Sequence, residues 1–310
     1  MNNGKMPYIS VIITAYDRKE FLLGAIKSVV NQTLDKKFYE IIVIKNFEDE
    51  VVDSYIRDNE VKNIMMQGTM GEFLNKGFAE SVGEIVSFLD DDDLFFENKL
   101  DTVYKEFKKD GNLVYYHNRH IPINRDGETI GIKSMYSPDF NMSCISIKKS
   151  IVKMNGTDKI NMSPDTLMYL YALESGKTTI RGDEKLTYYM FHDSVTNDTS
   201  KNFEEYKKLM ITQSDLILYS YELFRSLFHS KKALNFLDSR ITGVEYSKCI
   251  YGQFDSPRRL INYVINNPGN LRSRATFFLS CVLMKVYPKY REHVGNKMWN
   301  IHCERVNKMS

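Results

Sequence analysis

Apolar runs and amphipathic stretches alternate through the first hundred residues. Tyr8 to Ala15 is a nearly continuous apolar run of strand length, and Phe21, Leu22, Ala25, Ile26, Val29 and Val30 then fall on one helical face. The same alternation predicts a strand over Glu40 to Ile44, a helix over Glu50 to Asn59, a strand over Val61 to Met66, a helix over Gly71 to Val82 and a strand over Ile85 to Leu89. Leu100, Val103, Tyr104 and Phe107, spaced i, i+3, i+4 and i+7, predict a further helix. Apolar strands separated by helices are the pattern of a parallel sheet built from βαβ units.

After Gly111 the texture changes. Leu113 to Tyr116, a turn signal at Asn124-Arg-Asp-Gly127, and Asn141 to Ile147 predict antiparallel strands added to the sheet edge. A helix is expected from Asp165 to Glu174, stopped by Gly176. The tract Asp193 to Ser200 is polar, which sets an expected boundary between residues 1–200 and a helical region over 201–310, where Tyr206, Leu209, Met210, Leu216 and Leu218 supply apolar positions.

Composition narrows the class. A chain of 310 residues with 43% hydrophobic content can bury one large core, or one core and an appended module. A formal net charge of +2 gives no general affinity for nucleic acid. Cys144, Cys249, Cys281 and Cys303 lack Cys-x-x-Cys spacing, which argues against zinc and a disulfide framework and fits a reducing, cytoplasmic setting. Met1 to Pro7 carries no signal-peptide core, and the apolar stretch Ala275 to Met284 falls short of the ~20 residues that span a bilayer, so secretion and integral insertion are not expected.

The candidate chemistry centres on Asp90, Asp91, Asp92 and Asp93, which follow the buried strand Glu84-Ile-Val-Ser-Phe-Leu89. Carboxylates this close repel one another unless a cation or water screens them, and strand ends of α/β sheets are where ligands sit. The cluster therefore points to a divalent metal, Mn2+ or Mg2+, holding a phosphorylated substrate; the plainer alternative is an acidic turn with Asp93 capping the next helix. At the end of the first strand, Tyr16 can stack on a nucleoside while Thr14 and nearby backbone groups hydrogen-bond it, and Asp17 reads equally well as a cap of the following helix.

Taken together, Tyr8-Ile-Ser-Val-Ile-Ile-Thr-Ala-Tyr-Asp-Arg18, Glu40-Ile-Ile-Val-Ile44 and Ile85-Val-Ser-Phe-Leu-Asp-Asp-Asp-Asp-Leu94 resemble the N-terminal half of a family-2 glycosyltransferase. The resemblance covers residues 7 to 195 and implies a GT-A fold, an α/β Rossmann-like sheet, mostly parallel and flanked by helices, with a C-terminal helical region after it. It further implies inverting transfer of a sugar from a nucleoside diphosphate sugar, most commonly a UDP-sugar, to the hydroxyl of a glycan or lipid-linked acceptor, with a divalent metal on an Asp-x-Asp motif.

Carried residue by residue, the resemblance assigns Thr14, Ala15, Tyr16, Asn46, Asn75, Asp90 and Asp91 to the nucleotide-sugar, Asp92 and His192 to the metal, and Asp165 to the base that takes the acceptor proton. Three positions depart from the family's pattern. Lys45-Asn46-Phe47 replaces an acidic pair, leaving the Asn46 carbonyl as the base acceptor and Lys45 facing phosphate or solvent; Leu74 stands where arginine is common; Pro164 stands where glutamate precedes the catalytic aspartate. Two other readings stay open: a non-catalytic sugar-nucleotide-binding or scaffold protein, and a nucleotidyltransferase, although the Gly-x-Gly-x-Arg loop of the latter is replaced by Thr14-Ala-Tyr-Asp-Arg18. The stretch Arg272 to Lys285, basic and then apolar, fits a membrane surface, packing against other helices, or a second subunit.

Overall fold

The structure, a computed structural model, describes residues 6–131, 141–191, 200, 202–253, 261 and 271–306, with the backbone alone at 271–274 and 305. The chain divides into two compact units, Met1–Phe191 and His192–Ser310.

The first unit is built on a sheet of eight strands in the order β3-β2-β1-β4-β7-β6-β8-β5. Its parallel half consists of β1 (Ile9–Ala15), β2 (Tyr39–Lys45), β3 (Lys62–Met65) and β4 (Ile85–Asp90), linked by helices α1 (Leu22–Val30), α2 (Glu50–Asp58) and α3 (Met70–Glu80). Strands β1, β2 and β4 are buried along almost their whole length because both sheet faces are covered, which explains why they read as nearly continuous apolar runs. On one face Ile9, Val11 and Ile13 join Leu22, Ala25, Ile26 and Val29 of α1 and Leu100, Val103 and Phe107 of α4 (Lys99–Lys109) in a single core. On the other, α3 lays Phe73, Leu74 and Phe78 inward, and Gly77 brings its backbone close to Ile12 and Ile44.

The remaining strands are β5 (Leu94–Phe95), β6 (Leu113–Ile123), β7 (Ile145–Lys148) and β8 (Thr178–Met190). β7 lies antiparallel between β4 and β6, as expected, whereas β8 runs parallel to β6 after the crossover through α5 (Pro164–Ser175). The predicted turn closes with Gly127 donating its backbone N–H to the Asn124 carbonyl at 3.0 Å. β5 pairs with β8 four places from β4 in the strand order. A flat sheet would set those strands ~19 Å apart, more than the ~14 Å that the four steps from Asp90 to Leu94 can reach, so the sheet must curl and bring its far edge back to the end of β4.

Two local expectations are corrected. Asp17 does not cap α1: the helix starts at Leu22, its N-terminal neighbour Phe21 makes no side-chain cap, and Asp17 instead takes a left-handed backbone at φ 57°. Asp93 does not cap α4, which begins at Lys99 after Asn98; the intervening Leu94–Phe95 is a strand.

The second unit is helical: α6 (Phe203–Leu227), α7 (Lys231–Ile250), α8 (Leu271–Val286) and α9 (Pro288–Val306). Tyr206, Cys249, Ile250, Tyr251, Cys281, Met284 and Met298 form its core, and Tyr206 stacks on His302 with ring centroids 4.3 Å apart. No helix among the described residues is long and apolar enough to cross a membrane.

The segment leading to α5 is held by α3. The Gly71 N–H donates to the Ile160 carbonyl at 2.8 Å, the Thr69 hydroxyl donates to the Asp158 carbonyl, and a Cβ on Gly71 would lie 1.9 Å from the Thr157 carbonyl oxygen. Gly71→Ala is therefore expected to cost about 2–4 kcal/mol by forcing these backbones apart. Gly111→Ala, where an added Cβ meets nothing within 4 Å, should leave the melting temperature near the wild-type value; equal melting of the two variants would contradict the close approach.

Candidate active site

The β1–β4 boundary is where the parallel strand order reverses, and the C-terminal ends of both strands open there. Register sets Thr14 of β1 beside Ile44 of β2 and Asp90 of β4, so the predicted nucleoside loop and the acidic loop emerge side by side. Thr14 is half-buried, Ala15 is buried, and Tyr16 is 51% exposed with its ring 5.9 Å from that of Phe73. An aromatic face left in water beside a backbone turn suits stacking on a base.

Asn46 holds that turn. Its side-chain carbonyl accepts from the Asp17 N–H at 2.8 Å, and its amide donates to the Asp17 carboxylate at 2.8 Å, which accounts for the left-handed conformation at Asp17. The acceptor that Asn46 was expected to offer a base is thus already engaged. Lys45 faces neither phosphate nor solvent. It is fully buried, with Nζ 2.9 Å from Asp53 Oδ1 and 2.6 Å from the Phe47 carbonyl, because an ammonium taken out of water needs a paired charge and acceptors.

The acidic loop separates its four carboxylates by environment. Asp90, Asp92 and Asp93 each place a carboxylate oxygen within 4.8 Å of the others. Asp91, 2% exposed, is drawn away to the guanidinium of Arg18, which also donates to Asp92 Oδ2 at 2.6 Å. Burial first, and then the charges of Asp92 and Asp91, push the Asp90 carboxyl up to about 8; the negative charge of Asp165 adds to the same shift. Burial likewise raises Asp93, whose Oδ1 accepts the Met190 N–H at 2.9 Å and so ties the loop to β8. Asp93 Oδ2 is buried and meets no hydrogen-bond donor among the described residues. Clustered oxygen donors, an orphaned buried carboxylate oxygen and raised carboxyl pKa values fit a hard divalent cation held by Asp90, Asp92 and Asp93.

Beneath the loop lies a cation that sequence reading missed. Lys99, fully buried at the start of α4, donates to Asn118 Oδ1 at 2.9 Å and to the Ser143 carbonyl at 2.5 Å, and its Nζ sits 4.1 Å from the centroid of the Phe95 ring. Burial lowers its pKa to about 8, opposed by the field of Asp93. The Ser143 hydroxyl in turn accepts the Asp90 N–H at 3.0 Å, so the lysine fixes the floor on which the acidic loop rests. Arg18 was also missed, although it closes the Thr14–Arg18 segment; a cation three residues past a strand that pairs with the acidic strand was the available signal.

Asp165 sits half-buried in the first turn of α5, behind Pro164 at its first position and Ser163 at φ 60°. Its carboxylate accepts the Thr166 N–H at 2.7 Å and lies where the helix dipole favours negative charge. Asn75 accepts from the Thr157 hydroxyl at 3.0 Å, linking α3 to the segment before α5. Leu74 is a core residue, 2% exposed. His192 lies outside the described residues.

Residues 10–161 match the model of glycosyl transferase family 2. An uncharacterized glycosyltransferase of Rickettsia bellii is 32% identical over 125 residues, 39% of this chain and 18% of that protein. The chain thus spans about a fifth of the length of the first curated relatives it matches. The GalNAc(5)-diNAcBac-PP-undecaprenol beta-1,3-glucosyltransferase of Campylobacter jejuni is 27% identical over 220 residues, 64% of this chain and 70% of that one. Among solved structures, the mannosyltransferase PcManGT from Pyrobaculum calidifontis, in complex with GDP-Man and Mn2+, aligns with a TM-score of 0.54 at 12% identity, covering 98% of this chain and 87% of that one. At that identity the likeness concerns the fold alone, which is GT-A.

The pKa directions give the ligand-free protein a pH signature. Asp90 keeps its proton in the fold to about pH 8 but loses it near pH 4 when unfolded, so its contribution to stability falls as pH rises toward 8. His117, lowered by burial and then by Arg181 to about 3, acts in the opposite sense only below its ordinary value of 6.5, and Lys99 acts in the opposite sense only above about 8. Between about pH 6.5 and 8 the wild-type melting temperature should therefore fall, with Asp93, raised in the same direction, adding to the slope, and Asp90→Asn should reduce that slope to the part Asp93 contributes; an unchanged slope in the variant would contradict the assignment.

Proposed function

We propose, for a chain whose residues 10–161 belong to glycosyl transferase family 2, that it moves a sugar from a nucleoside diphosphate sugar to an acceptor hydroxyl in one inverting displacement. The observation that carries this reading is the grouping of Asp90, Asp92 and Asp93 at the switch point of the sheet, with Asp165 near enough for its charge to act on Asp90.

Asp90, Asp92 and Asp93 would hold Mn2+ or Mg2+, which when bound neutralises the charge that collects on the leaving diphosphate. Tyr16 stacks on the base, Thr14 and the backbone at Ala15 bind the nucleoside, and Asn46 acts by fixing the Asp17 turn. Asn75 braces α3 against the 157–160 segment and so sets the position of Asp165. Arg18 supplies the positive charge that Leu74 cannot, with Asp91 holding its guanidinium at the site. In the displacement the acceptor oxygen bonds to the anomeric carbon, the bond from that carbon to the diphosphate oxygen breaks, and the acceptor proton passes to the Asp165 carboxylate. The acceptor is a glycan or lipid-linked glycan hydroxyl, a choice supported by the activity named for the Campylobacter relative. UDP-sugars are the first donors to try.

Two substitutions separate these roles. Asp165→Asn is expected to leave donor affinity within about twofold while lowering transfer by 10²-fold or more; near-normal turnover would remove Asp165 as the base. Asp92→Asn is expected to weaken metal-dependent diphosphate binding by about tenfold or more, as measured by calorimetry, and unchanged affinity would remove Asp92 from the metal site.

A further inference from the structure

Helix α8 is apolar on two faces. Phe277, Cys281 and Met284 point into the core of the helical unit, where the Ser280 hydroxyl also meets the hydroxyls of Tyr246 and Tyr290 at 3.1 and 3.3 Å. The opposite face carries Leu279, Val282, Leu283 and Val286 at i, i+3, i+4 and i+7, and Tyr287 follows at the helix end. These side chains are exposed by 58%, 38%, 44%, 67% and 55% in turn. A helix apolar all round is normally enclosed on all sides, and a continuous exposed apolar stripe marks a surface that something covers.

Charge identifies the occupant. From residue 256 to residue 291 the sequence has seven Lys and Arg and no Asp or Glu, which leaves the rest of the chain net acidic although the whole carries only +2. Lys285 and Lys289, both exposed, flank the stripe at its C-terminal end beside Tyr287. A second copy docked on this face would bring two basic tracts together, which repel. An anionic lipid surface satisfies both features at once: the apolar side chains enter the headgroup–acyl boundary, the basic ones meet lipid phosphates, and a tyrosine suits the interface. The helix is too short and too polar to span, so it would lie in the surface plane.

We propose that α8 is a peripheral membrane-docking helix for anionic bilayers, with Leu279, Val282, Leu283 and Val286 as its inserting face and Lys285 and Lys289 as its headgroup contacts. This goes beyond the transfer reaction and does not depend on it.

The test is co-sedimentation of the full chain with vesicles of phosphatidylcholine alone and of phosphatidylcholine with phosphatidylglycerol, at low and high salt. The wild type is expected to bind the anionic vesicles, at least tenfold more weakly when phosphatidylglycerol is omitted. Leu279→Glu with Val286→Glu should abolish binding without lowering the melting temperature, since both residues are more than half exposed, and Lys285→Ala with Lys289→Ala should weaken it severalfold. Equal binding by the Glu variant, or no binding by the wild type, would overturn the proposal. So would a wild-type dimer that the Glu variant converts to monomer, which would make the face a self-interface, or retention by an acidic polypeptide in place of vesicles.

Discussion

Four carboxylates in sequence at the end of a buried strand create a repulsion that the surrounding structure must offset. Each neighbouring element contributes. Arg18, from the loop after β1, takes Asp91 and one oxygen of Asp92; β8 donates a backbone N–H to Asp93; Ser143 receives the N–H of Asp90; Lys99 lies buried below, anchored to Asn118 and the Ser143 carbonyl. What is left over, the raised pKa values of Asp90 and Asp93 and the orphaned oxygen of Asp93, is a deficit of positive charge at one point. A divalent cation would supply it, and a diphosphate would then follow the cation. The GT-A sheet places that point at its switch position, next to the loop after β1 and its exposed Tyr16 ring.

The parallel half of the fold was legible because both of its faces are covered. Burial on two sides writes itself into the sequence as nearly continuous apolar runs such as Ile9–Ala15 and Ile41–Ile44, and the helices between them show one apolar face each. The far half was harder to read. β8 has exposed and buried residues in an irregular order, and its register against β6 shifts more than once, so no single period marks it. That β8 runs parallel to β6 follows from the crossover through α5, a tertiary fact with no local signature.

The site was legible where chemistry depends on residue type and obscure where it depends on partners. Four aspartates after a strand announce themselves, but their division of labour does not: Asp93 looked like a cap for a helix that starts six residues later, and its contact with Met190 joins positions 97 residues apart. Lys45 read as facing phosphate or solvent because a lysine at a strand end is usually in water; only the fold shows Asp53 beside it. Arg18 and Lys99 carry ordinary neighbours in sequence and gain meaning through what faces them. The departures at Lys45 and Leu74 both fall in the packed interior: Lys45 is buried against Asp53, and Leu74 is a core residue.

The central claim is that the acidic loop and the β1 loop together form a metal-dependent nucleotide site. Calorimetric titration of the protein with UDP, GDP, dTDP and CDP, each with and without Mn2+, tests it most directly. Saturable binding of one nucleotide that requires the metal is the predicted result and would also name the base. Absence of binding across the whole panel in the presence of Mn2+ would contradict the account and leave a fold of this family without its donor site.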